Sequence, residues 1–297
     1  MIGAWLAREL RGRGDEVLIL TRRRSRRADH VRWDPMKRVS DPERLEGLDA
    51  VVHLSGAPIA DRPWTSQRRK VLYDSRVEAA NTLLETFQAL DTPPKAWLGA
   101  SVIGYYGDRG EQVLVEDMDP GSGFLAELAR DWEGCQVQAA EALGARVAIL
   151  RMSSVLSPTG GLFPLMVQPF RVGIGGWLGD GRQYTPWVSV RDVVGAYLHL
   201  LDDDEAEGLF NGTIPDPTTN KEWCRALGRV LHRPVLTHAP KWALRGALGE
   251  LADDLFFASV RAVPRKLLGS GYTFEDTEAE ATFRWLIAEL RERRRSG

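Results

Sequence analysis

Residues 22–27, Arg22-Arg23-Arg24-Ser25-Arg26-Arg27, concentrate five guanidinium groups directly behind a short apolar run, EVLIL at 16–20. A basic residue just after the second strand of a dinucleotide-binding βαβ unit suits a phosphate on the ribose 2′ position, where an acid would instead bind the free hydroxyls. No acid stands there, so the position points to NADP(H) rather than NAD(H). One Arg–phosphate contact is worth about 1.5–3 kcal/mol, roughly 10- to 100-fold in affinity. Arg22 is the first candidate for that contact and Arg23 the second; a solvated basic face is the alternative reading.

Gly3 precedes Arg22 by nineteen positions, close to the roughly 20-residue gap between a phosphate-binding glycine turn and the ribose-reading residue. It fits the last glycine of such a turn, from which a helix would aim its N-terminus at the cofactor diphosphate; an ordinary helix-start glycine explains it equally well, and the case rests on what lies around it. Leu54-Ser55-Gly56-Ala57-Pro58 follows the next apolar run. It sets small residues where backbone approaches a ligand at the carboxyl edge of a sheet, or makes a plain turn. Lys70 and Arg76, on a helical stretch, are candidates to face the cofactor or an anionic substrate. The five histidines, His30, His53, His199, His232 and His238, show no metal spacing, and Cys135 and Cys224 form no CxxC pair, so neither a metal nor a disulfide is expected.

The elements that must hold these residues alternate between helix and strand through the first half. Apolar side chains at Ile2, Trp5, Leu6 and Leu10 make one helical face over 2–13, with Gly14 at the C-terminal cap position. Buried strands are expected at 16–20, 50–54, 96–100 and 146–150, with a long amphipathic helix over 66–90 and another over 123–143. From Ser157 the chain turns rich in glycine and proline, as in loop-built binding surfaces. A helix at 190–201 and a strand at 209–211 follow, then helical segments at 221–231 and 241–251 without βαβ rhythm.

With 297 residues the chain can build a sizeable core, and 39 basic against 41 acidic side chains argue against a general nucleic-acid binder. No stretch reaches the roughly 18–20 apolar residues of a membrane span, and the first residues lack the order of a secretory signal, so a cytoplasmic protein is expected.

Helix, strand with a basic residue behind it, strand, helix and strand is the order that follows the first strand of a Rossmann unit. That strand is central, and orphaned backbone groups beside it would each cost about 1–3 kcal/mol. The sequence therefore leads us to expect an internal start, with about ten further residues upstream in the native chain; a truncated, cofactor-deficient protein is the alternative.

Several motifs stand in a fixed order: HLSGAPI at 53–59, RPW at 62–64, DSR at 74–76, SVIGYYG at 101–107, RDWE at 130–133, LRMSSVLSPTGG from Leu150, GIGGWLGDGRQYTPWVSVRDV from Gly173, FNGTIPDPTTN from Phe210 and VPRKLLGSGYTF from Val263. Together they resemble the epimerase-like subfamily (NAD-dependent epimerase/dehydratase type) of the extended short-chain dehydrogenase/reductases, with its C-terminal domain of unknown function. The resemblance runs from Met1 to about Leu290 and implies an α/β fold: a Rossmann-type doubly wound parallel sheet with a smaller C-terminal substrate-binding portion. The Rossmann part would take residues 1–158 plus about 186–214, and the smaller part 159–185 and 215–297.

The resemblance implies NADP(H) as cofactor, with Ser101 in the place of the superfamily's catalytic Ser/Thr and Tyr105 and Tyr106 a turn later. Arg151, Ser153 and Val155 would line the nicotinamide end, together with Gly3, Arg22, Arg23, Leu54, Ser55, Gly56 and Arg76 along the cofactor. Trp187 and Gln183 would wall the substrate, and Asp192 reads as a helix-start structural residue. The chain departs from the superfamily in two ways. The glycine fingerprint survives only as Gly3, and none of the six tyrosines has a lysine four residues on. In LARDWEGC, Leu128 and Trp132 stand where Tyr and Lys are expected, and a phenol without a neighbouring cation is a poor base at pH 7.

Two functions follow. One is an NADP(H)-dependent oxidoreductase or epimerase-like enzyme acting on a small molecule, without nucleic acid or membrane partners. The other is a non-catalytic NADP(H)-binding regulatory or cell-division-associated protein. Analogy with superfamily relatives adds a homodimer.

Overall fold

The computed structural model describes residues 1–296; the side chains of Arg294 and Arg295, in the second basic run, lie outside the description. Helix α1 (Ile2–Arg13) ends on Gly14, which takes the left-handed conformation at φ 93° and returns its N–H to Leu10 and Arg11. Three strands follow, β1 (Ile19–Thr21), β2 (His30–Asp34) and β3 (Arg38–Val39), then β4 (Ala50–His53). Helices α2 (Ser66–Asp74) and α3 (Val77–Gln88) lead into β5 (Ala96–Val102), and past β6 (Val113–Leu114) helix α4 (Phe124–Leu143) leads into β7 (Arg146–Met152). Next come β8 (Ser154–Leu156), α5 (Phe163–Arg171), β9 (Gly176–Leu178), β10 (Trp187–Ser189), α6 (Val190–Asp202) and β11 (Gly208–Gly212). Helix α7 (Asn220–Leu231), β12 (Thr237–Ala239), α8 (Lys241–Leu248), α9 (Glu250–Ala252), β13 (Arg261–Ala262), α10 (Arg265–Gly269) and α11 (Ala279–Ser296) complete the chain.

The central sheet runs β11-β7-β5-β4, all parallel, with Leu98 opposite Val52 and Ala148. A second sheet, β1-β2-β3, begins with a parallel β1-β2 pair. Set side by side, the two give a Rossmann order whose first-strand position, between β1 and β4, holds no strand among the described residues. Both flanking strands still serve one core, since Val51 and Leu20 belong to the same apolar cluster.

Alternation along the buried strands sorts side chains to two faces. Leu98, Ala148 and Leu150 join Leu6 and Leu10 of α1 and Val193, Tyr197 and Leu200 of α6. Trp97, Val147 and Ile149 point the other way, into Leu83 and Phe87 of α3 and Ala139 and Ala140 of α4. A third cluster, with Trp187, Trp223, Phe163 and Phe283 fully buried, fills the region built from α5, α7 and α11.

The structure corrects three details of the sequence reading. The helix expected over 66–90 is two helices, because the Ser75 hydroxyl donates to Leu72 O and accepts from Ala57 N, while Arg76 widens to φ −116° and begins the second helix. The strand expected at 16–20 is shorter and shifted, to Ile19–Thr21. The polar stretch after Thr21 contains β2, whose Val31 and Trp33 are buried and whose flanking residues face outward.

Candidate active site at the carboxyl edge of the sheet

Strands β4, β5 and β7 deliver their C-terminal ends to one edge, and α4 crosses beneath it. Glu133 sits on the apolar stripe of α4 beside Trp132 and Gln136, all buried. Its Oε1 accepts from the Ser101 hydroxyl at 2.6 Å and from Arg151 Nε at 2.8 Å, and its Oε2 accepts from Arg151 Nη2 at 2.8 Å. Burial by itself would lower the Arg151 guanidinium, but the bidentate carboxylate outweighs it and holds the group above its ordinary range.

Arg151 Nη1 donates to the Tyr106 hydroxyl and to Glu116 O, each at 3.0 Å. The Tyr106 hydroxyl reaches Asn211 Oδ1 at 2.9 Å and Val115 O at 3.0 Å. Glu116 Oε1 accepts from the backbone N–H of Asn211 and of Lys266. The Tyr105 ring lies under the guanidinium, 3.5 Å from its centroid to Arg151 Cζ. Burial raises both phenols above their usual value, and the nearby Arg151 charge only partly offsets this. Both rings are therefore protonated near neutral pH, able to donate a hydrogen bond and ill suited to abstract a proton.

Of the sequence candidates, Ser101, Tyr105, Tyr106 and Arg151 meet in this one network. Ser101, Tyr106 and Arg151 are completely buried in it, and Tyr105 is half-buried. Ser153 is buried and donates to Gly212 O, while Val155 lies opposite Val188 in the β8-β10 pair. Trp187 and Gln183 lie elsewhere. Trp187 is fully buried in the third core cluster, tilted against Phe283, and Gln183 spans Leu178 O and Phe256 O. Asp192 is structural, as its position suggested: it accepts from Ser189, Tyr272 and the N–H groups of Glu275 and Asp276.

The sequence reading missed Glu133, Glu116 and Asn211 as members of the network. The signal for Glu133 is a lone acid at buried helical spacing, in line with Ala129, Trp132 and Gln136. Glu116 and Asn211 lie 95 residues apart and only the fold brings them together.

The residues present fit the phosphates of a dinucleotide. Helix α1 starts with no side-chain cap and no acid in its first turn, and Gly3 is exposed there; the Ala4 N–H turns back to Met1 O, which leaves the N–H groups of Ile2 and Gly3 to face an anion. A Cβ on Gly3 would only graze Leu54, at 3.8 Å, which brings the helix start against the Leu54-Ser55-Gly56 loop. Arg22, Arg23 and Arg24 are exposed directly behind β1. Ser55 pairs with His53, whose ring is buried and pushed down to about 4, chiefly by burial. Lys70 is exposed and paired with Asp74, whereas Arg76 turns inward beneath Gly56.

A parallel sheet with an open helix N-terminus and arginines at its carboxyl edge defines a nucleotide-binding Rossmann protein. Residues 1–211 match the family model described as NAD dependent epimerase/dehydratase family, and residues 239–286 match a domain of unknown function (DUF1731). The chain belongs to the NAD-dependent epimerase/dehydratase family. It is 37% identical over 274 residues to an epimerase family protein of Mycobacterium bovis, covering 92% of this chain and 90% of that one. It is 31% identical to the epimerase family protein SDR39U1 of Bos taurus, covering 97% and 96%. The crystal structure of the human protein of that name with NADPH superimposes with a TM-score of 0.87 at 27% identity, covering 96% of this chain and 95% of that one. Among the described residues no helix is long and apolar enough to cross a membrane, and no three His, Cys, Asp or Glu side chains gather as a metal site.

Proposed function

We propose that this chain is an NADP(H)-dependent oxidoreductase or epimerase-like enzyme that works on a carbonyl or carbinol carbon of a small molecule. The observation carrying this reading is the uncapped, acid-free N-terminus of α1 at the same sheet edge as the exposed Arg22–Arg24 run. The NADPH of the human relative's crystal structure supports the choice of cofactor. Arg22 and Arg23 would take the 2′-phosphate, Gly3 and the α1 N-terminus the diphosphate, and Leu54, Ser55, Gly56, Arg151, Ser153 and Val155 would line the remainder. When bound, the nicotinamide gives or takes the hydride.

Tyr105 would donate a hydrogen bond to the substrate oxygen, its phenol kept protonated by burial. Ser101 would orient that oxygen. Its own proton is committed to Glu133, so it would accept from the hydroxyl of the carbinol form and would make no hydrogen bond to the carbonyl form. Residues 159–185 and 215–297 would form the substrate side, with Gln183 and Trp187 shaping it from within. The reading also carries a cytoplasmic location and a homodimer.

A second reading, a non-catalytic NADP(H)-binding regulatory protein, is favoured by one observation: Ser101 and Tyr106 are wholly buried and their hydrogen bonds are already made. Fluorescence titration with NADPH and NADH tests cofactor choice for both readings. A panel of carbonyl compounds then separates them: the enzyme oxidises NADPH and loses turnover in the Tyr105→Phe/Tyr106→Phe double variant. Tight NADPH binding with no oxidation across the panel selects the regulator, and absence of binding sinks both.

A further inference from the structure

Arg76 is 93% buried and yet no carboxylate lies within ion-pair distance of it among the described residues. Its Nη1 donates to Leu72 O and Ser75 Oγ and its Nη2 to Ala57 O, all uncharged acceptors, while Nε has no partner. The neighbouring buried arginine, Arg68, is neutralised by Asp61 at 2.7 Å, so it adds repulsion without supplying an anion. Burial pushes the Arg76 guanidinium down to about 10, with Arg68 adding to the effect. A buried charge without a counter-charge is expensive, and a fold keeps one where something else completes it.

Two features say what completes it. Gly56 is exposed, and a Cβ there would stand 3.1 Å from Arg76 Cζ, so only a residue without a side chain lets this loop lie directly against the guanidinium. On the other side the guanidinium lies over the Trp132 ring, 5.2 Å from its centroid, and the Trp132 indole N–H is also without a partner. Trp132 precedes Glu133 in α4 and packs with Leu54, Ala100 and Met152 at the ends of β4, β5 and β7. Arg76 thus belongs to the reacting end of the edge, whereas the two anionic groups of an NADP-type cofactor have seats of their own at the α1 N-terminus and at Arg22–Arg24.

We propose that Arg76, opened by Gly56 and backed by Trp132, seats a carboxylate or phosphate group of the substrate, so that the substrate is an acid or a phosphate ester. This rests on the oxidoreductase reading for the word substrate; the anion seat itself stands without it. An oxyanion would take the free N–H groups of a planar guanidinium in charge-assisted bonds, which a neutral ligand cannot match.

The test is a titration of inorganic phosphate and of acetate into the whole chain, with and without saturating NADPH, followed by nitrogen-edited NMR of the tryptophan indole N–H signals. In wild type the Trp132 signal should move with phosphate, and should still move with NADPH bound. Arg76→Gln should weaken phosphate binding at saturating NADPH at least tenfold, and Arg76→Lys should keep part of it; melting curves confirm that both variants fold. The proposal falls if phosphate leaves the Trp132 signal of wild type unmoved, if Arg76→Gln binds phosphate as wild type does, or if NADPH excludes phosphate and loses affinity in step with it. If no variant binds NADPH, the oxidoreductase reading fails and the phosphate arm alone decides for or against the seat.

Discussion

Two buried arginines at one sheet edge, about as deeply enclosed as each other, are treated in opposite ways. Arg151 is gripped by both oxygens of Glu133, shared with Tyr106 and Glu116, and stacked on Tyr105. Arg76 has only neutral oxygens, and orphan polar atoms gather near it: its own Nε, the Trp132 indole nitrogen and His53 Nδ1. The Arg151 guanidinium has all its bonds made within the protein, whereas the Arg76 guanidinium does not. The Arg151 side thus holds the edge rigid and the Arg76 side is where a ligand supplies the missing bonds.

The largest expected effect breaks the satisfied half. Glu133→Gln leaves Arg151 buried and unpaired and should cost about 3–5 kcal/mol in denaturant unfolding. The double variant Glu133→Leu/Arg151→Met should regain most of that loss, because it removes both charges together. A loss under about 1 kcal/mol for Glu133→Gln would erase the contrast between the two sides.

His53 sharpens the other half. Its ring is neutral in the fold, pushed down to about 4 from an ordinary 6.5 chiefly by burial, with the Arg76 charge adding and Gln136 opposing. Below pH 6.5 the unfolded chain binds the proton that the folded chain refuses. Stability should therefore be full above that pH and fall by on the order of 3 kcal/mol as the pH drops toward 4. Urea unfolding across that range should show the slope, and His53→Gln should flatten it.

Arg22→Ala samples arginines that are neither buried nor paired in the core. NADPH affinity should fall roughly 10- to 100-fold and NADH affinity should hold, read by fluorescence titration. Equal loss for both cofactors would detach the Arg22 run from the 2′-phosphate. The smallest effect is a control remote from the edge: Thr219 caps α7 in a reciprocal capping box with Glu222, and Thr219→Ala should cost about 1 kcal/mol without touching NADPH binding.

Helix α1, strands β4, β5 and β7 and helices α4, α6 and α7 were legible because each carries an apolar pattern long enough to have one period. Strand β2 was not, since HVRWD shows its alternation through two apolar residues only. The break at Ser75 was hidden because apolar spacing runs on through it, and the deciding event is a hydroxyl bonding its own preceding turn and a distant loop. The site candidates, catalytic and cofactor-lining, divide in the same manner. Ser101, Tyr105, Tyr106 and Arg151 stand in motifs and could be named, but that one carboxylate ties Ser101 to Arg151 depends on the packing of α4 under β5 and β7.

The division between β1 and β4 has a consequence for how this molecule meets others. Each strand keeps one flank of amide and carbonyl groups outside any ladder, and such a flank is a template for pairing. An extended apolar segment, inserted parallel to both, would join the two sheets into one and bury its side chains against Val51 and Leu20 on one face.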